Sequence, residues 1–248
     1  MMENGASGGD ILKQEKQGRV YGVGLGPGDP DLLTVKAARL ISGAAVLAYP
    51  ALQGGASFAR AIAADLIAGT AREIVINVPM RTERGPAQAA YDLGALAIAA
   101  ELEAGRDVVV LCEGDPFFYG SFMYLFARLS GRFEVEVVPG VTSVSAAAAR
   151  AGLPLVARNE RLTILPGPLP KDELRARIRA AESVAIMKLG RHLPKLRAVL
   201  TDLALSDQAT YVERVGLPDE RVCPLSEAPD VAPYFSMLLL VKGADPWL

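Results

Sequence analysis

Short apolar runs, each ending in a loop rich in glycine or proline and followed by a stretch with helical spacing, recur along this 248-residue chain and leave few folds open. Val20 to Leu25 runs into Gly26-Pro27-Gly28-Asp29-Pro30, after which Leu32, Leu33, Ala37, Leu40 and Ile41 recur at helical intervals. The alternation continues with a strand at Ala45–Ala48, a helix at Ser57–Ala68, a strand at Glu73–Val78, a long Ala-rich helix at Ala87–Ala104 and a strand at Val108–Cys112. Glu134–Val138 and a helix at Val144–Ala151 complete the first half. Strands that are apolar at successive positions must be buried on both faces, as in a parallel sheet flanked by crossover helices.

The breakers Gly152-Leu153-Pro154 predict a hinge, so the chain divides into a lead-in at 1–18, an N-terminal α/β domain at 19–153 and a C-terminal α/β domain at 154–248. In the second half, strands at Leu162–Leu165 and Ser183–Leu189 alternate with helices at Lys171–Glu182 and Leu193–Leu205. Strands at Ala209–Val215, Arg221–Pro224 and Tyr234–Lys242 then follow without intervening helices. Those last strands predict a mixed sheet with antiparallel pairs, against a mainly parallel first sheet.

Composition narrows the function. Lys and Arg total 26 against 28 Asp and Glu, a net charge of −2, so no general basic field exists to hold nucleic acid. Cys112 and Cys223 lie in apolar surroundings without a Cys-x-x-Cys partner, and His192 is the single histidine, which predicts buried free thiols, a surface imidazole and no metal site. The lead-in is polar and predicts disorder, with neither a signal-type apolar region nor an Arg-rich amphipathic pattern. Tyr234 to Val241, the longest apolar candidate, is too short to span a bilayer. A cytoplasmic protein without membrane partners is expected.

Three loops at strand ends carry the site. Gly22, Gly24, Gly26 and Gly28 do not make a dinucleotide fingerprint, because Gly-x-Gly-x-x-Gly meets Pro27 in one register and Asp29 in the other, and no Gly-Lys-Ser/Thr follows for a phosphate loop. Four glycines at alternate positions still let a ligand approach the backbone closely. The second loop, Glu113-Gly114-Asp115-Pro116-Phe117-Phe118-Tyr119-Gly120, follows a buried strand and reads either as a site or as a turn with core phenylalanines. In the third, Pro139-Gly140-Val141-Thr142-Ser143, Thr142 or Ser143 is a site residue or a helix N-cap.

The order Gly-x-Gly-Pro-Gly-Asp-Pro, then Gly-Asp-Pro-Phe, then Val-Pro-Gly-Val-Thr-Ser resembles the tetrapyrrole (corrin/porphyrin) methylase family across Arg19 to Val241. Glu113 through Tyr119, Ser121, Tyr124 and Leu125, with Tyr234-Phe235-Ser236-Met237, is similar to the branch that methylates carbon 20 of precorrin-2 in cobalamin biosynthesis. The resemblance implies S-adenosylmethionine in a cleft between two α/β domains, a tetrapyrrole substrate and a homodimer. Position by position it implies that Pro27, Glu113, Gly114, Asp115, Phe118, Thr142 and Ser143 bind the cofactor, as do Met187 and Val215, for which core packing at a strand end is an equal alternative. Relatives that methylate uroporphyrinogen III usually show Gly-Gly-Asp where this chain has Glu113-Gly114-Asp115. A sister methylase acting on that substrate or on a later precorrin is the alternative reading.

A methyl group on a sulfonium needs alignment and exclusion of water rather than a strong nucleophile, and no Ser/His/Asp set or Cys/His pair is present. Methylation of a meso carbon also requires loss of a proton, for which Tyr119 and Glu213 are candidates. The carboxylates of such a macrocycle call for Arg and Lys. Arg39, Arg60, Arg81, Arg84, Lys188 and Arg191 are available, each with a solvated surface charge as its alternative.

Overall fold

The computed structural model describes residues 16–79 and 83–243. Most of the expected lead-in, and Arg81, lie outside the described residues. The first sheet contains β1 (Val20–Gly24), β2 (Val46–Leu52), β3 (Arg72–Val78), β4 (Val108–Cys112) and β5 (Val135–Val138). Its order is β3-β2-β4-β1-β5 and every pairing is parallel. The helices are α1 (Val35–Ser42), α2 (Phe58–Ile62), α3 (Arg84–Glu103) and α4 (Phe122–Leu129).

The run of apolar residues in β4 explains itself in the packing. Val108, Val110 and Cys112 face α3 and α4, where Tyr91, Ile98, Leu102, Phe122 and Leu125 cover them. Val109 and Leu111 face the opposite layer, against Ala37 and Ile41 of α1 and Ala59 and Ile62 of α2. Both faces of the strand are thus desolvated, at roughly 1.5–3 kcal/mol for each fully buried aliphatic side chain.

The second sheet contains β6 (Leu162–Pro166), β7 (Ser183–Met187), β8 (Ala209–Glu213), β9 (Arg221–Pro224) and β10 (Ser236–Val241) in the order β6-β7-β10-β8-β9. Only β6 and β7 are parallel; β10 runs antiparallel to β7 and β8, and β8 to β9. One face is covered by α6 (Lys171–Ala180) and α7 (Leu193–Asp202) through Leu174, Ile178, Leu196 and Val199. The other is covered by α5 (Ser143–Ala151), whose Val144, Ala146 and Ala147 meet Ala185, Val212, Met237 and Leu239. The boundary read at 153/154 leaves α5 with the first domain, whereas its apolar face packs on the second sheet.

Local differences have local causes. The helix expected over Ser57–Ala68 stops at Ile62 and continues as a 3-10 turn at Ala64–Leu66. The strand expected to end at Ala48 continues to Leu52 through Pro50. The helix α4, unanticipated, carries Phe122, Leu125 and Leu129 inward at helical spacing. Cys112 and Cys223 are free and buried.

Candidate functional site

Because β4, β1 and β5 are parallel neighbours, their carboxyl ends emerge side by side, and the second, first and third loops lie in that spatial order. The α1 crossover from β1 to β2 runs one way across the sheet and the α4 crossover from β4 to β5 runs the other. Ligands of open α/β sheets bind where crossovers diverge in this way.

The loops are knitted together by close backbone contacts. Gly26 and Gly114 exchange two hydrogen bonds, the Gly114 amide to the Gly26 carbonyl at 2.7 Å and the reverse at 3.1 Å. A Cβ on Gly140 would lie 2.1 Å from the Gly114 carbonyl oxygen, and one on Gly24 would lie 2.6 Å from the Gly140 nitrogen. Side chains are therefore excluded at this junction. Asp115 reinforces it: Oδ1 accepts the Phe117 amide at 2.9 Å and Oδ2 accepts the Gly140 amide at 3.0 Å. Asp115 is both turn former and clamp between the second and third loops.

The three loops open onto a cleft of about 400 Å³ whose opposite wall is the second sheet, a size typical of small-molecule sites. All nine residues assigned to the cofactor by resemblance line it: Pro27, Glu113, Gly114, Asp115, Phe118, Thr142 and Ser143 from the first side, Met187 and Val215 from the second. Thr142 also caps α5, accepting the Ser145 amide at 3.3 Å. Phe117 turns away to meet Phe126 edge-on at 5.0 Å, while Phe118 lines the cleft, so the second loop serves core and cleft at once.

Two contacts join the walls across the opening. Phe58 of α2 stacks on Phe235 at 4.9 Å between ring centroids, and Lys188 Nζ stands 5.0 Å from the centroid of the Tyr119 ring. Nearby, Arg150 reaches Glu220 at 3.2 Å and Asp29 at 3.9 Å. Five non-glycine residues among those described have positive φ, and three of them, Tyr119 (57°), Lys188 (60°) and Arg214 (51°), line the cleft. Strain of this kind concentrates where side-chain direction matters.

The expected basic residues divide. Lys188 lines the cleft, and so does Arg214, which also pairs with Asp219 at 2.6 Å. Arg60 does not line it; its guanidinium is bound bidentately to Glu73 at 2.6 and 2.8 Å, which raises the guanidinium pKa and lowers that of the carboxyl. Arg39 and Arg191 are exposed on the first helix and before α7, away from the lining. Glu213, offered as a proton acceptor, accepts the hydroxyl of buried Tyr211 and does not reach the cleft, whereas Tyr119 does.

Sequence reasoning gave Tyr91, Arg214 and the aromatic pair Tyr234-Phe235 no role in the cleft, although the pair had been noted in the branch resemblance. Tyr91 sits mid-helix in α3 and is 6% exposed. Burial raises the hydroxyl pKa of Tyr91. Burial also pushes the Cys112 thiol up to about 12 and holds the Glu113 carboxyl above the usual carboxylate range. Among the described residues, no cluster of three or more His, Cys, Asp or Glu could hold a metal ion, and no helix is long and apolar enough to cross a membrane.

A parallel α/β sheet whose glycine loops face a second, mixed sheet across an apolar cleft defines a two-unit binder of a small organic ligand. Residues 19–229 match the family model of the tetrapyrrole (corrin/porphyrin) methylases, and the chain belongs to that family. It is a methyltransferase. It is 45% identical over 237 residues to the precorrin-2 C(20)-methyltransferase of Sinorhizobium sp., covering 92% of this chain and 97% of that protein. It is 32% identical to the cobalt-precorrin-2 C(20)-methyltransferase of Salmonella typhimurium, over 91% of this chain and 97% of the relative. Among solved structures, the uroporphyrin-III C-methyltransferase of Thermus thermophilus in complex with S-adenyl homocysteine is similar with a TM-score of 0.65 and 28% identity, over 91% and 92% of the two chains.

Proposed function

We propose that this methyltransferase transfers the methyl group of S-adenosylmethionine to carbon 20 of precorrin-2, or of its cobalt form, in cobalamin biosynthesis. The observation that carries the reading is the convergence of the three strand-end loops on one cleft whose far wall presents Lys188 and Arg214. The resemblance of Glu113–Tyr119 and Tyr234–Met237 to one branch, and the two named C(20)-methyltransferases that align along nearly the whole chain, support the substrate.

The glycine junction fits the cofactor, because Gly24 and Gly140 let the three loops close on one another while Gly114 presents backbone to the cleft. Pro27, Gly114, Asp115, Phe118, Thr142 and Ser143 would hold it from the first sheet, with Met187 and Val215 closing over it from the second. When bound it supplies a methyl group on a sulfonium, an excellent leaving group. The chain itself contributes alignment and a water-poor cleft, through Phe118, Val215 and the Phe58–Phe235 stack. Lys188 and Arg214 are placed to pair with substrate carboxylates.

We also propose that the chain divides into units at 19–153 and 154–248 with α5 shared between them, and that it works in the cytoplasm as a homodimer; sedimentation at micromolar concentration reads the last point. Incubation with methyl-labelled S-adenosylmethionine and each macrocycle, followed by mass spectrometry and carbon NMR, tests the function. Label at carbon 20 is expected, with uroporphyrinogen III a poor acceptor. Label on a pyrrole-ring carbon would overturn the substrate.

A further inference from the structure

The reaction just proposed leaves a proton to be removed. When a methyl group is added to a meso carbon that bears hydrogen, the positive charge brought over from sulfur resides on the macrocycle until the C–H bond at that carbon breaks. Glu213, one residue the sequence offered for this task, is turned toward Tyr211 on the second sheet. A different carboxylate occupies the cleft.

Glu113 follows β4, the central strand of the first sheet, and contributes to the cleft lining immediately before the glycine junction. No basic side chain among the described residues forms an ion pair with it. Its electrostatic neighbours are Tyr91 on α3, Tyr234 before β10 and Cys112, whose thiol is directed to the Glu113 backbone carbonyl at 3.7 Å, together with the Ala59 amide of α2. Tyr91 and Tyr234 line the same cleft. A carboxyl that is largely desolvated, free of cations and open to a ligand cavity has the environment of a general base or acid rather than of a structural ion pair.

We propose that Glu113, which the resemblance assigned to the cofactor, is instead the proton acceptor of the methylation, a reading that rests on the proposed transfer to carbon 20. The C20–H bond breaks, its electron pair flows into the conjugated macrocycle and neutralises the charge there, and the proton passes to a Glu113 carboxylate oxygen. The carboxylic acid so formed returns its proton to water when the cleft opens. Burial, which raises the Glu113 pKa, brings the base closer to working pH and makes it a better acceptor. Tyr91, kept protonated by burial, leaves the carboxylate as the basic group on that side of the cleft.

The test compares the parent enzyme with Glu113→Gln and Glu113→Asp. For Glu113→Gln, calorimetry is expected to show S-adenosylmethionine and its demethylated product bound within about twofold of the parent. Single-turnover methylation should be slowed roughly hundredfold, the acid limb of the pH–rate profile should vanish, and substrate deuterated at carbon 20 should react more slowly than protiated substrate. Glu113→Asp should recover part of the rate. A readout independent of turnover is stability against pH. The folded-state pKa of Glu113 is raised, so its contribution is fully present in acid and is lost as pH rises through that pKa. Glu113→Gln should therefore gain on the parent as pH rises, and the difference should close in acid. An active parent with a Gln variant of equal rate and profile overturns the proposal alone, as does a variant that loses cofactor affinity in step with rate, or one with parental pH-dependence of stability. A parent that leaves carbon 20 unmethylated overturns the functional reading as well.

Discussion

Lys188 Nζ stands 5.0 Å from the centroid of the Tyr119 ring, joining the second sheet to the second glycine loop, and both residues hold positive φ values near 60°. A partly buried cation over a tyrosine is worth about 0.5–2 kcal/mol, on the order of the strain of either backbone. The pair is therefore an easily opened strap across the cleft, and the ammonium is free to turn to a carboxylate ligand. Lys188→Met is expected to raise KM for the macrocycle roughly tenfold, as for one lost charge-assisted hydrogen bond, while the affinity for S-adenosylmethionine stays within twofold. Steady-state kinetics with calorimetry checks this; an unchanged KM would reduce Lys188 to the strap.

Gly140→Ala tests the junction of the loops. Its Cβ would stand 2.1 Å from the Gly114 carbonyl oxygen, which is backbone and cannot rotate aside. The second and third loops must separate, at a cost of about 1–3 kcal/mol by comparison with overpacked cores. Lower thermal stability and at least tenfold weaker cofactor binding are expected. A variant with parental Tm and affinity would show that the loops are not held as described.

Asp115→Ala removes the acceptor for the Phe117 and Gly140 amides. Leaving such donors unpaired costs about 1–3 kcal/mol where they are shielded from water. Cofactor affinity should fall through loosening of the third loop, and hydrogen exchange at the Gly140 amide should accelerate. Unchanged exchange would detach Asp115 from that loop.

Arg60→Ala separates ion pairing from substrate binding. Arg60 lowers the Glu73 pKa, so the stability from this pair is present above the unfolded carboxyl pKa and is lost as pH falls through the lower folded value. With Arg60 partly exposed, the loss at neutral pH should be within about 1 kcal/mol, vanishing in acid, with KM for the macrocycle unchanged. Denaturant titration at several pH values, beside kinetics, decides it. A raised KM would return Arg60 to the substrate.

The sequence by itself determined the architecture, because a strand such as Val108–Cys112 that is apolar throughout is stable only when covered on both faces, and the breaker loops mark where each strand ends. The family resemblance singled out loops that converge: Pro27, Glu113, Gly114, Asp115, Phe118, Thr142, Ser143, Met187 and Val215 all line one cleft. The α4 helix was readable too, since Phe122, Leu125, Phe126 and Leu129 keep helical spacing, but the adjoining glycine and aromatic loop masked it. Only the tertiary structure decided what each glycine is for. Gly22 leaves room for the Phe122 ring and Gly24 for the backbone at Gly140, contacts made between segments 100 and more residues apart. The same holds for charge. Arg60 and Lys188 look equivalent along the chain, yet parallel pairing sets Glu73 on β3 beside Arg60, whereas Lys188 follows a strand end facing the cleft. Local sequence specifies backbone propensity and apolar period, while the partner of a long polar side chain depends on which distant strands become neighbours.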